Sequence, residues 1–263
     1  MDLGLKDRVA IVAASSQGLG KAVALGLARE GARLALCART ASTLEETAAE
    51  IRRETGADIL TQPLDVTIDD DVRRFVAAAH QRFGRVDICV ANAGGPPSKS
   101  FAETTAADWR AAAEVNLFST VSFAAHVLPL MRQRRWGRFL AITSIAVKQP
   151  VAGLVLSNAV RSAVSGLVKS LANEYGPYNI LVNSVCPGYT ATARLMELAE
   201  TLGRSQNVPA SEIEARWARE VPLGRIGRPE EFANLVIFLA SERASYITGA
   251  AIAVDGGSVK GVY

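Results

Sequence analysis

The 263-residue sequence predicts an α/β fold, one doubly wound sheet of seven parallel strands with helices on both faces. Three observations carry that prediction. Short β-branched runs alternate with long amphipathic runs along the chain, the pattern of a sheet layered with helices. The strand-like runs are apolar at successive positions, as strands covered on both faces must be. A glycine turn, Gly18-Leu-Gly20, separates the first strand-like run from the first helical one.

The elements follow in order. Arg8-Val-Ala-Ile-Val-Ala is the first expected strand, with a helix over 18–30 behind it. Arg33-Leu-Ala-Leu-Cys is the second, followed by a helix over about 42–54. Asp58-Ile-Leu-Thr-Gln-Pro-Leu and Val86-Asp-Ile-Cys-Val-Ala are the third and fourth. Phe139-Leu-Ala-Ile-Thr, Ile180-Leu-Val-Asn-Ser-Val and Ala251-Ile-Ala-Val complete the sheet. No Ser/Gly/Pro linker or repeat divides the chain, so residues 1–263 are expected to form one domain. Residues 190–222 break the rhythm: a polar, helix-prone insertion that carries Gly203 and Pro209. Loops beyond the carboxyl ends of parallel strands build ligand sites. The insertion is therefore expected to be a substrate lid, and its length argues against a decorative excursion.

Composition excludes several classes. A net charge of +3, dispersed and without a run of five like charges, does not suit nucleic acid. The start, Met1-Asp-Leu-Gly-Leu-Lys-Asp-Arg, lacks the apolar core of a signal peptide. The longest apolar stretch, 115–131, contains Asn116, His126 and Pro129, which argues against a membrane span. The three cysteines, Cys37, Cys89 and Cys186, are odd in number and lack metal-ligand spacing, so no metal is expected. Cys37 and Cys89 read as small buried hydrophobes, and the whole suits a reducing cytoplasm.

After the first strand comes Ala13-Ala-Ser-Ser-Gln-Gly18-Leu-Gly20, opening a helix. Glycines there let backbone approach a pyrophosphate, and the helix N-terminus offers free N–H groups and a positive dipole. Ala14, Ser16, Gln17, Gly18, Leu19 and Gly20 are thus candidate cofactor contacts. Further motifs follow: Asp65-Val66, Asn92-Ala93-Gly94, Asn116, Ser144, Pro187-Gly188-Tyr-Thr190-Ala-Thr192, Pro222-Leu-Gly-Arg, and Val254-Asp-Gly-Gly257. In order, and over nearly the whole chain, they resemble the short-chain dehydrogenase/reductase family in its 3-oxoacyl-acyl-carrier-protein-reductase-like branch.

That resemblance implies a Rossmann-like sheet, a nicotinamide cofactor, and a homotetramer or dimer. It implies adenine contacts from Asp65 and Val66, and a cofactor-lining buttress from Asn92, Ala93 and Gly94. It implies further cofactor contacts from Pro187, Gly188, Thr190 and Thr192, and catalytic roles for Asn116 and Ser144. The family's Thr-Gly at the glycine turn is here Ala13-Ala14. The second strand ends in Cys37-Ala38-Arg39-Thr40 without a carboxylate to hold a ribose 2′-OH. Arg39 suits a 2′-phosphate instead, so NADP is expected over NAD. A solvated strand-end arginine is the plainer alternative.

The resemblance also predicts Tyr-x-x-x-Lys downstream of Ser144, and the chain has Ser157-Asn-Ala-Val-Arg161 there. No tyrosine stands seven residues before Arg161 or Lys169, the arrangement of the related enoyl-reductase branch. A serine hydroxyl is far harder to ionise than a phenol, and arginine does not join a proton relay. Arg161 can still hold the ribose, as the family's lysine does, and stabilise an alkoxide. Ser157 and Arg161 are expected to line the site, the alternative being that they cap and coat a helix. Tyr189 and Lys148 are weak substitutes for the phenol. Two readings stand: an NADP-dependent oxidoreductase interconverting a small-molecule carbonyl and a secondary alcohol through an atypical site, or a catalytically silent dinucleotide-binding sensor or partner subunit.

Overall fold

A computed structural model describes residues 1–262. All seven expected strands are present and parallel: β1 (Val9–Ala13), β2 (Arg33–Ala38), β3 (Ile59–Pro63), β4 (Ile88–Ala91), β5 (Gly137–Ile142), β6 (Ile180–Pro187) and β7 (Ala251–Val254). Their order is β3-β2-β1-β4-β5-β6-β7, which reverses direction between β1 and β4. The crevice beyond the carboxyl ends at that switch point is where such sheets bind ligands.

Alternation along each strand explains the two layers. Ala10 and Val12 face α1 (Gly18–Arg29), α2 (Ala41–Thr55) and α9 (Pro229–Ala240) in one core, beside Leu27, Ile51 and Val236. Val9, Ile11 and Ala13 face α3 (Asp69–Phe83), α5 (Ser119–Arg134) and α6 (Val155–Tyr175) in the other, beside Phe75, Val127 and Val168. Cys37 and Cys89 are fully buried, as their positions suggest. Burial pushes the Cys37 thiol up to about 12.

The fourth strand begins two residues later than expected. Asp87, wholly buried, accepts the Val9 N–H on its carboxylate and two bonds from Arg85, so its side chain takes a place the ladder would otherwise fill. The insertion folds as α7 (Ala193–Gln206) and α8 (Ala210–Glu220), packed together around Ala199, Ile213 and Trp217.

The helical stretch Ala106–Arg134 consists of α4 (Ala106–Ala113), one π turn (Glu114–Phe118) and α5. By length and composition it could cross a membrane, but half of its apolar window is buried in the fold. Phe123, Val127 and Met131 pack on the sheet, while Ser122 donates to Asp69 and His126 pairs with it.

Candidate active site

The glycine turn is held from three sides. The Asn92 amide donates to the carbonyls of Ala13 and Ala14, at 3.3 and 3.5 Å. Ser15 bonds the Cys37 carbonyl, and Thr47 of α2 donates to the Ser16 carbonyl at 2.8 Å. Ala14 sits at φ +47° and Gly18 at φ +56°, both left-handed. An alanine pays sterically for that conformation where glycine would not. Gly20 has no such φ; its reason is space, since a Cβ there would stand 2.3 Å from the Ala14 carbonyl oxygen.

Helix α1 begins behind Gln17 with no side-chain cap and no acidic residue in its first turn. Its leading N–H groups therefore meet an anion well. Thr192 caps α7 through the Leu195 N–H, and its methyl lies 3.4 Å from where a Gly18 Cβ would stand. The loop after β6 thus folds back over the glycine turn and closes a cleft above β1, β4 and β5. Gly188 allows that path: a Cβ would stand 2.7 and 2.8 Å from Asp255. Thr190 is buried and donates to the Gly188 carbonyl. Pro187 ends β6.

At the outer end of the cleft, Arg39 is exposed beyond β2. Asp65 accepts both the N–H and the hydroxyl of Thr67, which together with the Arg39 charge hold its carboxyl below the usual range, the Thr67 N–H first. Val66 packs at the edge of the core. Ala93 and exposed Gly94 follow Asn92 off the end of β4.

The inner end gathers around α6, which packs against both the turn Ile145–Val147 and the π turn. Asn116 sits within that π turn, an irregularity that recurs at functional positions of helices. Its amide donates to the Ala112 carbonyl, its backbone carbonyl accepts the Thr120 hydroxyl, and its buried Oδ1 has no partner. Ser144 Oγ accepts from the Ala146 N–H at 3.1 Å. Ser157 and Arg161 lie one turn apart on α6, 7% and 8% exposed. Arg161 Nη1 donates to the carbonyls of Ile142 and Thr143 at 3.0 and 2.8 Å. Burial pushes its pKa down to about 10, helped by Arg194.

Arg194 had no place in the sequence reading. It stands in the first turn of α7, where the helix dipole disfavours a cation, and that misplacement was its one sequence signal. Its guanidinium turns back to donate to the Pro96 carbonyl at 2.9 Å. Thr47 was missed too, because its partner is a backbone carbonyl remote in sequence.

Tyr189, the loop phenol, is engaged away from Ser157. Tyr189 stacks on Trp217 with ring centroids 5.4 Å apart and donates to Glu220 at 2.9 Å. Burial raises its pKa above the ordinary phenol value. Leu195 and Trp217 pack within the helical excursion. A depression of about 490 Å³ lined by Arg132, Arg135 and Tyr178 lies at the amino ends of β5 and β6, away from all these residues.

An open parallel sheet with an uncapped glycine turn at its switch point defines the dinucleotide-binding class of α/β proteins. Comparison narrows the class. Residues 13–259 match the family model described as enoyl-(acyl carrier protein) reductase. The 3-oxoacyl-[acyl-carrier-protein] reductase FabG of Aquifex aeolicus (strain VF5) is 33% identical over 257 residues, 98% of this chain and 99% of that protein. L-Sorbose reductase of Gluconobacter frateurii, solved with NADPH and L-sorbose, superposes with a TM-score of 0.95 at 33% identity, covering 100% of both chains. A 7α-hydroxysteroid dehydrogenase solved with NADH and 7-oxo glycochenodeoxycholic acid gives 0.89 at 30% identity, covering 100% of this chain and 98% of that one. The chain belongs to the short-chain dehydrogenase/reductase family of oxidoreductases.

Proposed function

We propose that the protein is an NADP-dependent oxidoreductase that interconverts a carbonyl and a secondary alcohol. The observation that supports this reading is an uncapped glycine turn opening α1 at the sheet's switch point, with Ser157 and Arg161 on an α6 that packs on the turn after Ser144. The gap at Gly20, which only a hydrogen fills, and the free N–H groups of α1 fit a dinucleotide's pyrophosphate. The bound nicotinamide supplies or accepts the hydride.

The chain's own residues handle the oxygen. Ser144 accepts from the Ala146 N–H, which leaves its O–H to donate to a substrate carbonyl. Arg161 places a fixed positive charge where an alkoxide develops. Ser157 leaves the room a phenol would fill, and an ordered water there carries the proton to and from the alcohol oxygen. A positioned acid–base side chain contributes roughly 10²–10⁴-fold, so turnover is expected to be slower than in a tyrosine enzyme. Helices α7 and α8 form the substrate lid of this domain. Exposed Phe118 and Val121, beside Asn116, support assembly through these helices as a homodimer or homotetramer. A monomer in light scattering would count against that.

Both NADPH-bound and NADH-bound relatives share the fold, so the choice rests on Arg39. An Arg39→Ala variant is expected to weaken NADPH binding by about 10–100-fold, the worth of a charge-assisted phosphate contact, while NADH binding holds. Titration of nicotinamide fluorescence reads both constants; an unchanged ratio would sink the assignment. The reaction itself is tested by hydride transfer to ketones, 3-oxoacyl thioesters, quinones and sugars beside a Ser144→Ala control. Tight NADPH binding with no transfer above that control would leave a silent binding protein.

A further inference from the structure

Buried charge normally finds a partner of opposite sign, because taking an ion out of water is costly unless something compensates it. Arg161 breaks that pattern. Its guanidinium is more than nine-tenths buried and is held only by two neutral carbonyls through Nη1. The titratable groups that act on it are Arg194 and the Cys186 thiol, which burial keeps protonated, with no carboxylate among them. Arg194 makes its one bond to a neutral carbonyl, that of Pro96, and senses only Glu197 along its own helix.

The two guanidiniums converge. The point beside Gly95 where a Cβ would stand is 3.1 Å from Arg194 Nη2 and 3.5 Å from Arg161 Nη2. Two cations turn their donors to one spot, and only a residue without a side chain leaves that spot open. Like charges brought together repel, and an anion between them would relieve that repulsion even though Arg194 is exposed on its outer side. Lys148, like Arg161, is near enough to act on the Cys186 thiol.

We propose that Arg161 and Arg194 form a clamp for a carboxylate on the substrate, so that the protein acts on oxo acids and their hydroxy-acid counterparts. This rests on the oxidoreductase reading above. A guanidinium matches a carboxylate in shape and offers two parallel donors. The cofactor's own phosphates are the other source of negative charge. The substrate is the source proposed here: uncapped α1 follows β1, whereas the spot the two guanidiniums share is beside Gly95 after β4, and Arg161 stands one helical turn from Ser157 on α6. Arg194 also belongs to the excursion, so closing on the anion would bring α7 down over the reacting group.

The test uses the wild-type protein saturated with NADPH, titrated with short 2-oxo and 3-oxo carboxylates, each beside its methyl ester. Occupancy is read by the melting temperature of the complex, and turnover separately by NADPH absorbance. The acids are expected to bind about tenfold or more tightly than their esters, as a charge-assisted pair implies. Arg194→Met should erase that preference, and Arg194→Lys should keep part of it. NADPH affinity should stay within about threefold in both, since a tenfold change equals a whole charged contact.

Equal affinity for acid and ester overturns the clamp, as does the absence of any acid-induced melting shift. A tenfold loss of NADPH affinity in Arg194→Met would overturn it too, by assigning the pair to the cofactor's phosphates. Acid-selective binding without NADPH oxidation would leave the clamp standing and remove the oxidoreductase reading.

Discussion

Arg161→Met is expected to lower kcat/KM for the hydride-transfer substrate by about 10²–10³-fold, the range for losing a transition-state charge contact. It should leave the fold almost as stable as before. The two halves of that expectation come from the same fact. At neutral pH the protein holds an ionised guanidinium where burial drags its pKa to about 10. By linkage, that depression corresponds to roughly 3 kcal/mol of disfavoured charge. The sign follows: a folded pKa below the unfolded one means that stability rises with pH from about 10 upward, and that the charge is unfavourable at pH 7.

Methionine removes that charge and fills similar volume. It also strips donors from the carbonyls of Ile142 and Thr143, each worth about 1–3 kcal/mol if left unpaired. The opposing effects partly cancel, so Tm should move by only a few degrees, about 2–4 °C for each kcal/mol left over in a chain this long. Parallel kinetics and calorimetry check both halves. A drop in Tm of 10 °C or more, with kcat/KM tracking the folded fraction, would make Arg161 a structural brace instead.

The fold was legible because each strand-like run is apolar on both faces and each helix apolar on one. Those patterns are set by burial, and burial is the strongest force that the sequence records locally. The glycine turn was legible for a related reason: Gly20 marks a close approach that no side chain allows. Ser157 and Arg161 could be placed through their four-residue spacing, which puts both on one helical face. The structure adds that this face packs on the turn after Ser144 and on the π turn of Asn116.

What stayed hidden depends on chain segments that meet only after folding. No local signal in the sequence marks the π turn, so Asn116 read as part of an ordinary helix. Asp87 read as a strand residue because nothing local shows that its carboxylate would take the Val9 N–H. Arg194 read as one of many arginines in a polar insertion. Its position against Gly95 follows from the loop after β6 crossing back toward β1, a path set by Gly188 against Asp255. Tyr189 was the reverse case: a loop phenol with open possibilities, fixed by Trp217 and Glu220 once the excursion packs.

Gly20→Ala is expected to weaken NADPH binding by about 10²–10⁴-fold, the equivalent of two charged hydrogen bonds at 1.5–3 kcal/mol each. The added Cβ would stand 2.3 Å from the Ala14 oxygen, 2.9 Å from its carbonyl carbon and 3.0 Å from Ser15 Cα. All three are backbone atoms, so no side chain can swing away. The turn must open, and opening it carries the first N–H groups of α1 off the line they present to an anion. Gly18→Ala is the informative comparison on the same turn. There the new Cβ meets only the Thr192 side chain, at 3.4 and 3.6 Å, ordinary contacts. Its cost is the left-handed φ of +56°, about 1–2 kcal/mol for a residue with a Cβ. That turn already tolerates one such residue in Ala14, at φ +47°. Gly18→Ala should therefore lose only about tenfold in affinity. Fluorescence titration of both variants checks the order. Equal losses would mean that backbone strain governs the turn, and a harmless Gly20→Ala would mean that the pyrophosphate binds elsewhere.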